Sequence, residues 1–284
     1  MNWFSNLYQN YLSRSIIEKI IAINIALFVL TYIFNTLSFL FDINQNFILD
    51  WFSLKPDFES LLFRPWTILS YGFLHIGFFH ILFNLLFLYY FGNLFMDFFN
   101  SKQFITYYLL GIISGGLIYM ASYNYLPALQ TKETLLVGAS AGVTAIVIGI
   151  ASHIPQYALR FRFIGNVKLL YIAVAMIVLD VVQIPNGNAG GHLAHIGGAL
   201  LGFVMTRYLH QGTYLIAWVE QVFRQKEKAP LKTVYKSKNK PYQTPNNKNE
   251  DQARIDRILD KISKSGYDTL TREEKDFLFN AGKK

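Results

Sequence analysis

The stretch Val137-Gly138-Ala139-Ser140-Ala141-Gly142-Val143 places a serine among small residues, where a long apolar run begins. A serine at the start of a helix holds its hydroxyl clear of its own backbone, and the first amide N–H groups of a helix have no intrahelical partner. Such amides can stabilise a negative charge that develops on a substrate carbonyl. Small residues in apolar helices also serve close packing. The stretch therefore indicates catalysis only if a base lies at the same depth.

The composition is that of a helical membrane protein. Of the 284 residues, 52% are hydrophobic and 15% are charged, whereas soluble domains carry about 25% charged residues. Uncharged apolar runs of about 20 residues recur, and each is long enough to cross a bilayer. The chain has no cysteine, which excludes disulfides, thiolate catalysis and cysteine metal sites. We predict an all-α, polytopic membrane fold.

The apolar runs predict six transmembrane helices, at roughly 20–41, 76–95, 104–123, 136–153, 169–184 and 192–209. Residues 42–75 combine many aromatic side chains with six charges, which predicts a first loop lying half in the outer leaflet. Lys and Arg favour one set of connecting segments and the tail, so the positive-inside rule places both termini in the cytosol. We expect a multi-pass protein of a bacterial inner membrane.

The polar tail carries most of the positive charge. Residues from Arg207 onward hold 17 of the 26 Lys and Arg residues and 10 of the 18 Asp and Glu residues. This placement indicates a tail beside a membrane, and we expect no nucleic-acid partner. We divide the chain into an N-terminal cytosolic lead, a membrane domain, a flexible basic linker and a helical hairpin, at 1–19, 20–210, 211–252 and 253–284.

The C-terminal hairpin is predicted from two signals. Apolar residues recur at helical spacing from Ile255 to Ile262, and Gly266 is a natural stop. Thr271 and Glu274 have the spacing of a capping box for a second short helix. We expect the hairpin to dock on this protein, a cytosolic partner or the membrane surface.

Three of the predicted spans carry polar residues near their starts. The second span has His80 and Asn84, four residues apart and so on one helix face, the fourth has Ser140 and the sixth has His195. The three spans run in the same direction, so these groups lie at a similar depth. Polar side chains inside a membrane are costly and are functional candidates by default.

The residue types assign the roles. Ser140 needs a base to become a nucleophile, and His195 is that base in a Ser–His dyad without a third carboxylate. His80 and Asn84 would donate hydrogen bonds to the oxyanion, together with the Ser140 amide. Glycines on the His195 face of the sixth span, including Gly198, let a neighbouring helix come close.

The chain resembles the rhomboid intramembrane serine proteases. The resemblance covers about residues 15–210 and rests on His75 with the block His80-Ile81-Leu82-Phe83-Asn84, on Gly138-Ala139-Ser140, and on Ala194-His195-Ile196-Gly197-Gly198 with Gly202. It implies a six-helix bundle whose short fourth helix starts at the bottom of a water-filled cavity. It also implies cleavage of other proteins' transmembrane segments near the outer membrane face. A Ser–His mechanism needs no cofactor, and the remaining histidines lack the spacing of metal ligands, so we expect neither cofactor nor metal.

The same resemblance implies the site residues. Ser140 is the nucleophile, His195 is the base, and His80 and Asn84 are the oxyanion donors. Gly138 and Ala139, within the serine motif, are assigned to the oxyanion and substrate site. The expected partners are transmembrane protein substrates and the lipid bilayer.

Three features depart from the family pattern. The Trp-Arg pair often seen in the first loop is absent, and Arg64-Pro65-Trp66 stands nearby. Ala141 stands where the family usually has glycine, and Thr144 stands where some members have a large aromatic residue against the base. The sequence therefore identifies no group that orients His195. Asp180 in the fifth span is interpreted as a hydrogen-bonded packing group.

Two other functions are weighed against proteolysis. One is a catalytically inactive relative that binds transmembrane segments, which the presence of both Ser140 and His195 disfavours. The other is a small-solute transporter, which an internal repeat would support. The sequence shows no convincing internal repeat.

Overall fold

Long apolar helices form most of the first part of the chain. The structure, a computed structural model, describes residues 13–43, 46–130, 134–162, 164–208 and 247–281. In the first part we number the helices α1 Ile16–Leu40, α2 Phe47–Phe52, α3 Phe58–Phe63, α4 Thr67–Ser70, α5 Phe78–Met96, α6 Ser101–Tyr125, α7 Ser140–His153, α8 Leu169–Gln183 and α9 Ala189–Arg207. Short 3₁₀ helices cover Tyr71–Phe73 and Ile184–Asn186.

The helices confirm a mainly α-helical membrane protein. Within the described residues, four of them, α1, α5, α6 and α8 with its 3₁₀ extension, are long and apolar enough to cross a membrane. Helix α7 has 14 residues, which gives a length of about 21 Å. The count of six spans stays a prediction.

Helix α7 begins at Ser140 and not at Leu136, where the apolar run starts. Leu136 pairs with Leu54 of the first loop through two backbone hydrogen bonds, of 2.9 and 3.1 Å. This pairing holds the residues before Ser140 in an extended conformation, because the Leu136 amide donates to the first loop and not to a helical carbonyl. The serine thereby becomes the first residue of the helix.

Helices α6, α7 and α9 form the centre of the first part of the chain and approach closely through small residues. A Cβ on Gly115 of α6 would lie 2.5 Å from the Cβ of Ala141 and 2.8 Å from the carbonyl oxygen of Ala194. A Cβ on Gly198 of α9 would clash with the carbonyl oxygen of Ala141. Only glycine at these positions permits this spacing between helices.

Helix α8 lies at the edge of this group of helices. It buries Leu169 and Ala173, and most of its other apolar side chains are exposed. Exposed apolar surface of this extent is typical of contact with lipid. A tight turn then returns the chain to α9, whose N-cap Asn188 adopts a left-handed conformation with φ of 47°.

The first loop is folded into α2, α3, α4 and a 3₁₀ turn. The Trp51 and Trp66 rings stack with centroids 6.3 Å apart, and the Trp66 indole N–H donates to the Trp51 carbonyl at 2.9 Å. The Arg64 guanidinium lies over the Trp51 ring at 4.4 Å. The predicted position of this loop, half in the membrane, stays a prediction.

A small β-hairpin connects α7 to α8, where the sequence predicted only a loop. Strands β1 Ala158–Phe161 and β2 Gly165–Lys168 pair antiparallel. Gly165 has a φ of +85°, which suits the tight connection between them.

The chain divides into two compact units, Met1–Gln225 and Lys226–Lys284. The second unit contains α10 Asn247–Ser265, a 3₁₀ turn and α11 Arg272–Ala281. The Thr271–Glu274 capping box is confirmed, because the Glu274 amide donates to Thr271 Oγ1 at 3.3 Å and the Thr271 amide donates to the Glu274 carboxylate at 2.8 Å.

One boundary of this unit differs from the prediction. The predicted linker ends at residue 252, whereas α10 already begins at Asn247. Acidic residues near a helix N-terminus favour the helix, and Asp251 stands in the second turn. The remainder of the linker and most of the N-terminal lead lie outside the described residues.

Candidate active site

The serine is presented by a loop that other segments hold in place. The Gly138 amide donates to the Tyr71 carbonyl at 2.9 Å, and Gly138 has a φ of +127°. A Cβ at Gly138 would lie 2.7 Å from His80 Nε2. Glycine is therefore required twice here, for its backbone conformation and for its close approach to the histidine. Ser140 follows as the first, half-buried residue of α7.

His75 supports the same loop through a hydrogen bond to its backbone. Its side chain is fully buried, and its Nε2 accepts a hydrogen bond from the Ala139 amide at 3.4 Å. Burial, with a smaller contribution from His80, lowers the pKa of His75 from 6.5 to about 3. The neutral ring can therefore act as an acceptor. Sequence reasoning assigned no role to this histidine, although it belongs to the motif.

The amides of Gly138 and Ala139 are thus both engaged, by Tyr71 and by His75. These contacts give the two residues a clear part in positioning the loop. Their direct role toward an oxyanion or substrate stays a prediction.

Helix α5 brings His80 and Asn84 to this region on one face. Asn84 is buried, and its Nδ2 donates to the His80 carbonyl at 2.9 Å. The carboxamide retains a second N–H. The His80 ring lies edge-on to His75, with centroids 5.0 Å apart. The Asn84 carboxamide therefore has a donor left on the α5 side of the serine, and the His80 ring lies against Gly138 of the serine loop.

Helix α9 brings His195 toward the serine, because Gly198 and Gly202 let its backbone approach α7. Ser140, Asn84 and His195 line one cavity of about 260 Å³. The other lining residues come from α5, α7 and α8: Phe83, Phe87, Val143, Thr144, Met176, Leu179 and Asp180. Within the described residues, Ser140 and His195 share this cavity without a direct hydrogen bond.

Asp180 is hydrogen-bonded, as the sequence interpretation expects, but its partners are two histidines of α9. Its Oδ1 lies 2.7 Å from Nδ1 of His195 and 2.8 Å from Nδ1 of His192. The reason is the turn between α8 and α9. Two antiparallel helices place residues equidistant from their turn side by side, and residues 180 and 192 are equidistant from residue 186. This symmetry, with a carboxylate in an apolar span, was the signal available in the sequence.

The same three side chains form the group, among the described residues, that could share a metal ion. The donor atoms of Asp180, His192 and His195 lie within 4.8 Å of one another. Hydrogen bonds from both imidazoles to one carboxylate oxygen already account for this proximity.

Comparison with known proteins gives the family. The model of the Rhomboid domain matches residues 63–212, which include all the helices that line the cavity. A family of unknown function (DUF6576) matches residues 242–283, in the second unit.

Curated relatives agree with this match. RHOMBOID-like protein 12, mitochondrial, of Arabidopsis thaliana is 26% identical over 72% of this chain and 62% of its own length. Presenilin-associated rhomboid-like protein, mitochondrial, of Homo sapiens is 25% identical over 74% of this chain and 51% of its own. Rhomboid-like protease 3 of Toxoplasma gondii is 24% identical over 55% of each.

The matched segments thus span about half to three fifths of these relatives. The matched domain covers more than half of the present chain, and it contains the loop before Ser140, the α5 pair and the α9 histidine. The chain therefore belongs to the rhomboid family.

Proposed function

We propose that this protein is an intramembrane serine endopeptidase that cleaves transmembrane segments of other membrane proteins near the outer membrane face. The observation that carries the proposal is the cavity shared by Ser140 of α7 and His195 of α9. A hydroxyl at a helix N-terminus beside an imidazole is a pairing that acyl transfer uses.

The proposed reaction has two halves. Ser140 Oγ attacks the scissile carbonyl carbon, and its proton passes to Nε2 of His195. His195 then gives this proton to the leaving amine, which breaks the peptide bond and leaves an acyl-enzyme. A water molecule, activated by His195, attacks the ester and releases Ser140. Ser140 and His195 are not directly hydrogen-bonded in this structure. We expect their hydrogen bond to form when a bound substrate closes the site, as is common for catalytic pairs.

The oxyanion of each tetrahedral intermediate would meet donors from two helices. His80 and Asn84 approach from α5, and the Ser140 amide lies at the unpaired N-terminus of α7. Substrates with helix-destabilising residues would react faster, because an intact helix shields its carbonyl carbons.

We place the active site toward the outer face, with both termini in the cytosol, on the basis of the Lys and Arg distribution. Two of the relatives described above carry "mitochondrial" in their names. A bacterial inner membrane therefore gains no support from them, and our proposal concerns the orientation alone.

Labelling of the full chain, reconstituted in lipid, with a fluorophosphonate probe tests the proposal. We expect covalent labelling of the wild type and no labelling of Ser140→Ala. Ser152→Ala is a matched control, because this residue lies on the same helix about 18 Å along its axis, and it should label like the wild type. A reconstituted single-span protein with glycine or proline in its span should be cut by the wild type alone.

Two results would overturn the proposal. Labelling that persists in Ser140→Ala would place the reactive serine elsewhere. A correctly folded wild type that is neither labelled nor cleaves a span would favour the inactive relative that binds transmembrane segments. Ala141 and Thr144, the departures from the family pattern closest to Ser140 in the sequence, are the residues to restore first in that case.

A further inference from the structure

Asp180 is the acidic residue of the cavity, and it stands near the end of the peripheral helix α8. Its side chain is 13% exposed. His192 and His195, one helical turn apart on α9, both direct Nδ1 toward its Oδ1. A carboxylate so far from water is stable when nearby donors satisfy it, and these two imidazoles are such donors.

A carboxylate at Nδ1 determines what the rest of the imidazole can do. The carboxylate accepts a hydrogen bond from the imidazole tautomer that is protonated on Nδ1. In this tautomer Nε2 is unprotonated and can accept a proton. The carboxylate also fixes the rotation of the ring. A base for Ser140 needs an unprotonated Nε2 and a fixed ring, and the contact with Asp180 supplies both conditions.

We propose that Asp180 is a positioning residue for His195, so that the catalytic unit of this chain is Ser140, His195 and Asp180; this rests on the proposed function. The carboxylate accepts the Nδ1–H of His195 throughout the reaction and stabilises the imidazolium that forms after Ser140 loses its proton. The carboxylate itself takes up no proton.

Two neighbours support this assignment. Thr144, which lines the cavity, carries no aromatic ring that could restrain the base, and within the described residues the hydrogen-bond partner of His195 is Asp180. His192 donates to the same carboxylate oxygen and thereby holds Asp180 in position independently of His195.

The first test is the inactivation kinetics of the full chain in lipid with the fluorophosphonate probe. We expect Asp180→Ala and Asp180→Asn to lower the maximal inactivation rate roughly 100-fold, a typical contribution of general base catalysis. Probe affinity should stay unchanged. Asp180→Glu, which retains a carboxylate, should recover part of the rate. Val181→Ala, at the exposed neighbouring position, should react like the wild type.

The second test reads the position of the proton without any probe. In ¹⁵N spectra of histidine-labelled protein, wild-type His195 should show a protonated Nδ1 and an unprotonated Nε2. Asp180→Ala should show a mixture of both tautomers, with the signal assigned by its loss in His195→Gln. A purely structural role for Asp180 would not change the tautomer.

The two tests separate this inference from the proposed function. If the wild type labels and Asp180→Ala labels at the same rate, or if the tautomer is unchanged, Asp180 does not position the base. If removal of divalent ions with EDTA abolishes wild-type labelling, the three side chains act as a metal site, and the inference is wrong. If no variant labels but the tautomer shifts as expected, the positioning stands and only the peptidase proposal fails.

Discussion

His75 shows how one buried residue can make the stability of this protein depend on pH. Its ring is fully buried, and burial lowers its pKa to about 3. In the unfolded chain the pKa returns to about 6.5. Between these two values the unfolded state binds more protons than the folded state, so the contribution of His75 to stability is complete above pH 6.5 and decreases as the pH falls toward 3.

We predict that acidification from pH 7 to pH 5 destabilises the wild type by about 2 kcal/mol through this residue alone. His75→Asn should remove that part of the pH dependence, whatever its effect on stability at pH 7. Thermal unfolding in detergent at the two pH values measures both quantities.

His153→Asn is the matched control, because His153 is exposed at the end of α7. This variant should keep the wild-type difference between pH 7 and pH 5. An equal pH dependence in His75→Asn and the wild type would show that another group is responsible.

The site residues that the motif contains could be predicted at this scale, because their chemistry is local. A serine, two histidines and an asparagine at the starts of apolar runs are functional candidates, because burying polar side chains in a membrane costs free energy. Asp180 differs, because its residue type alone names no partner. Its role depends on the turn that folds α8 back on α9, and the resemblance supplied no partner for it.

At the scale of the elements, the packing of α9 on α7 determines the distance between the base and the serine. The Gly198 backbone approaches the Ala141 carbonyl too closely for a side chain on Gly198. Overpacking of this kind costs about 1–3 kcal/mol and shifts the backbones apart. His195 lies one turn from Gly198, on the same helix.

We predict that Gly198→Ala lowers the free energy of unfolding by about 1–3 kcal/mol and that fluorophosphonate labelling falls strongly, because the base moves away from Ser140. Leu200→Ala changes an exposed side chain of the same helix and should alter neither property. Thermal unfolding and labelling of the three proteins decide the matter. If Gly198→Ala is destabilised but labels at the wild-type rate, the spacing of α7 and α9 does not control the reactivity of Ser140.

The helices themselves were largely predictable from the sequence, and their ends were less so. The predicted start of the fourth span was Leu136, but a bridge to Leu54, which is 82 positions away in the chain, keeps that residue extended. The β-hairpin over Ala158–Lys168 was also missed, since its pairing is formed by polar and apolar residues without a clear alternation. Pairings between segments override local apolar patterns in both places.

At the scale of the whole molecule, the number of spans decides the orientation of the site. Helices α7 and α9 are the two predicted spans that length and apolar character alone do not identify within the described residues. If they cross the membrane, the hairpin between α7 and α8 lies on the side of the N-terminus. If they do not, that hairpin lies on the opposite side, together with the first loop.

Since the chain has no cysteine, one introduced cysteine is its only thiol and reports its own side of the membrane. We predict that Gln156→Cys, exposed beside the hairpin, is protected from a membrane-impermeant maleimide in intact cells and reacts after permeabilisation. Glu59→Cys in the first loop should react in both cases, and Ser101→Cys at the start of α6 should react only after permeabilisation. These two controls hold for either span count, so Gln156→Cys alone distinguishes them. Reaction of Gln156→Cys in intact cells would leave α7 as a helix that does not cross, and Ser140 would then have to reach its substrate from a re-entrant segment.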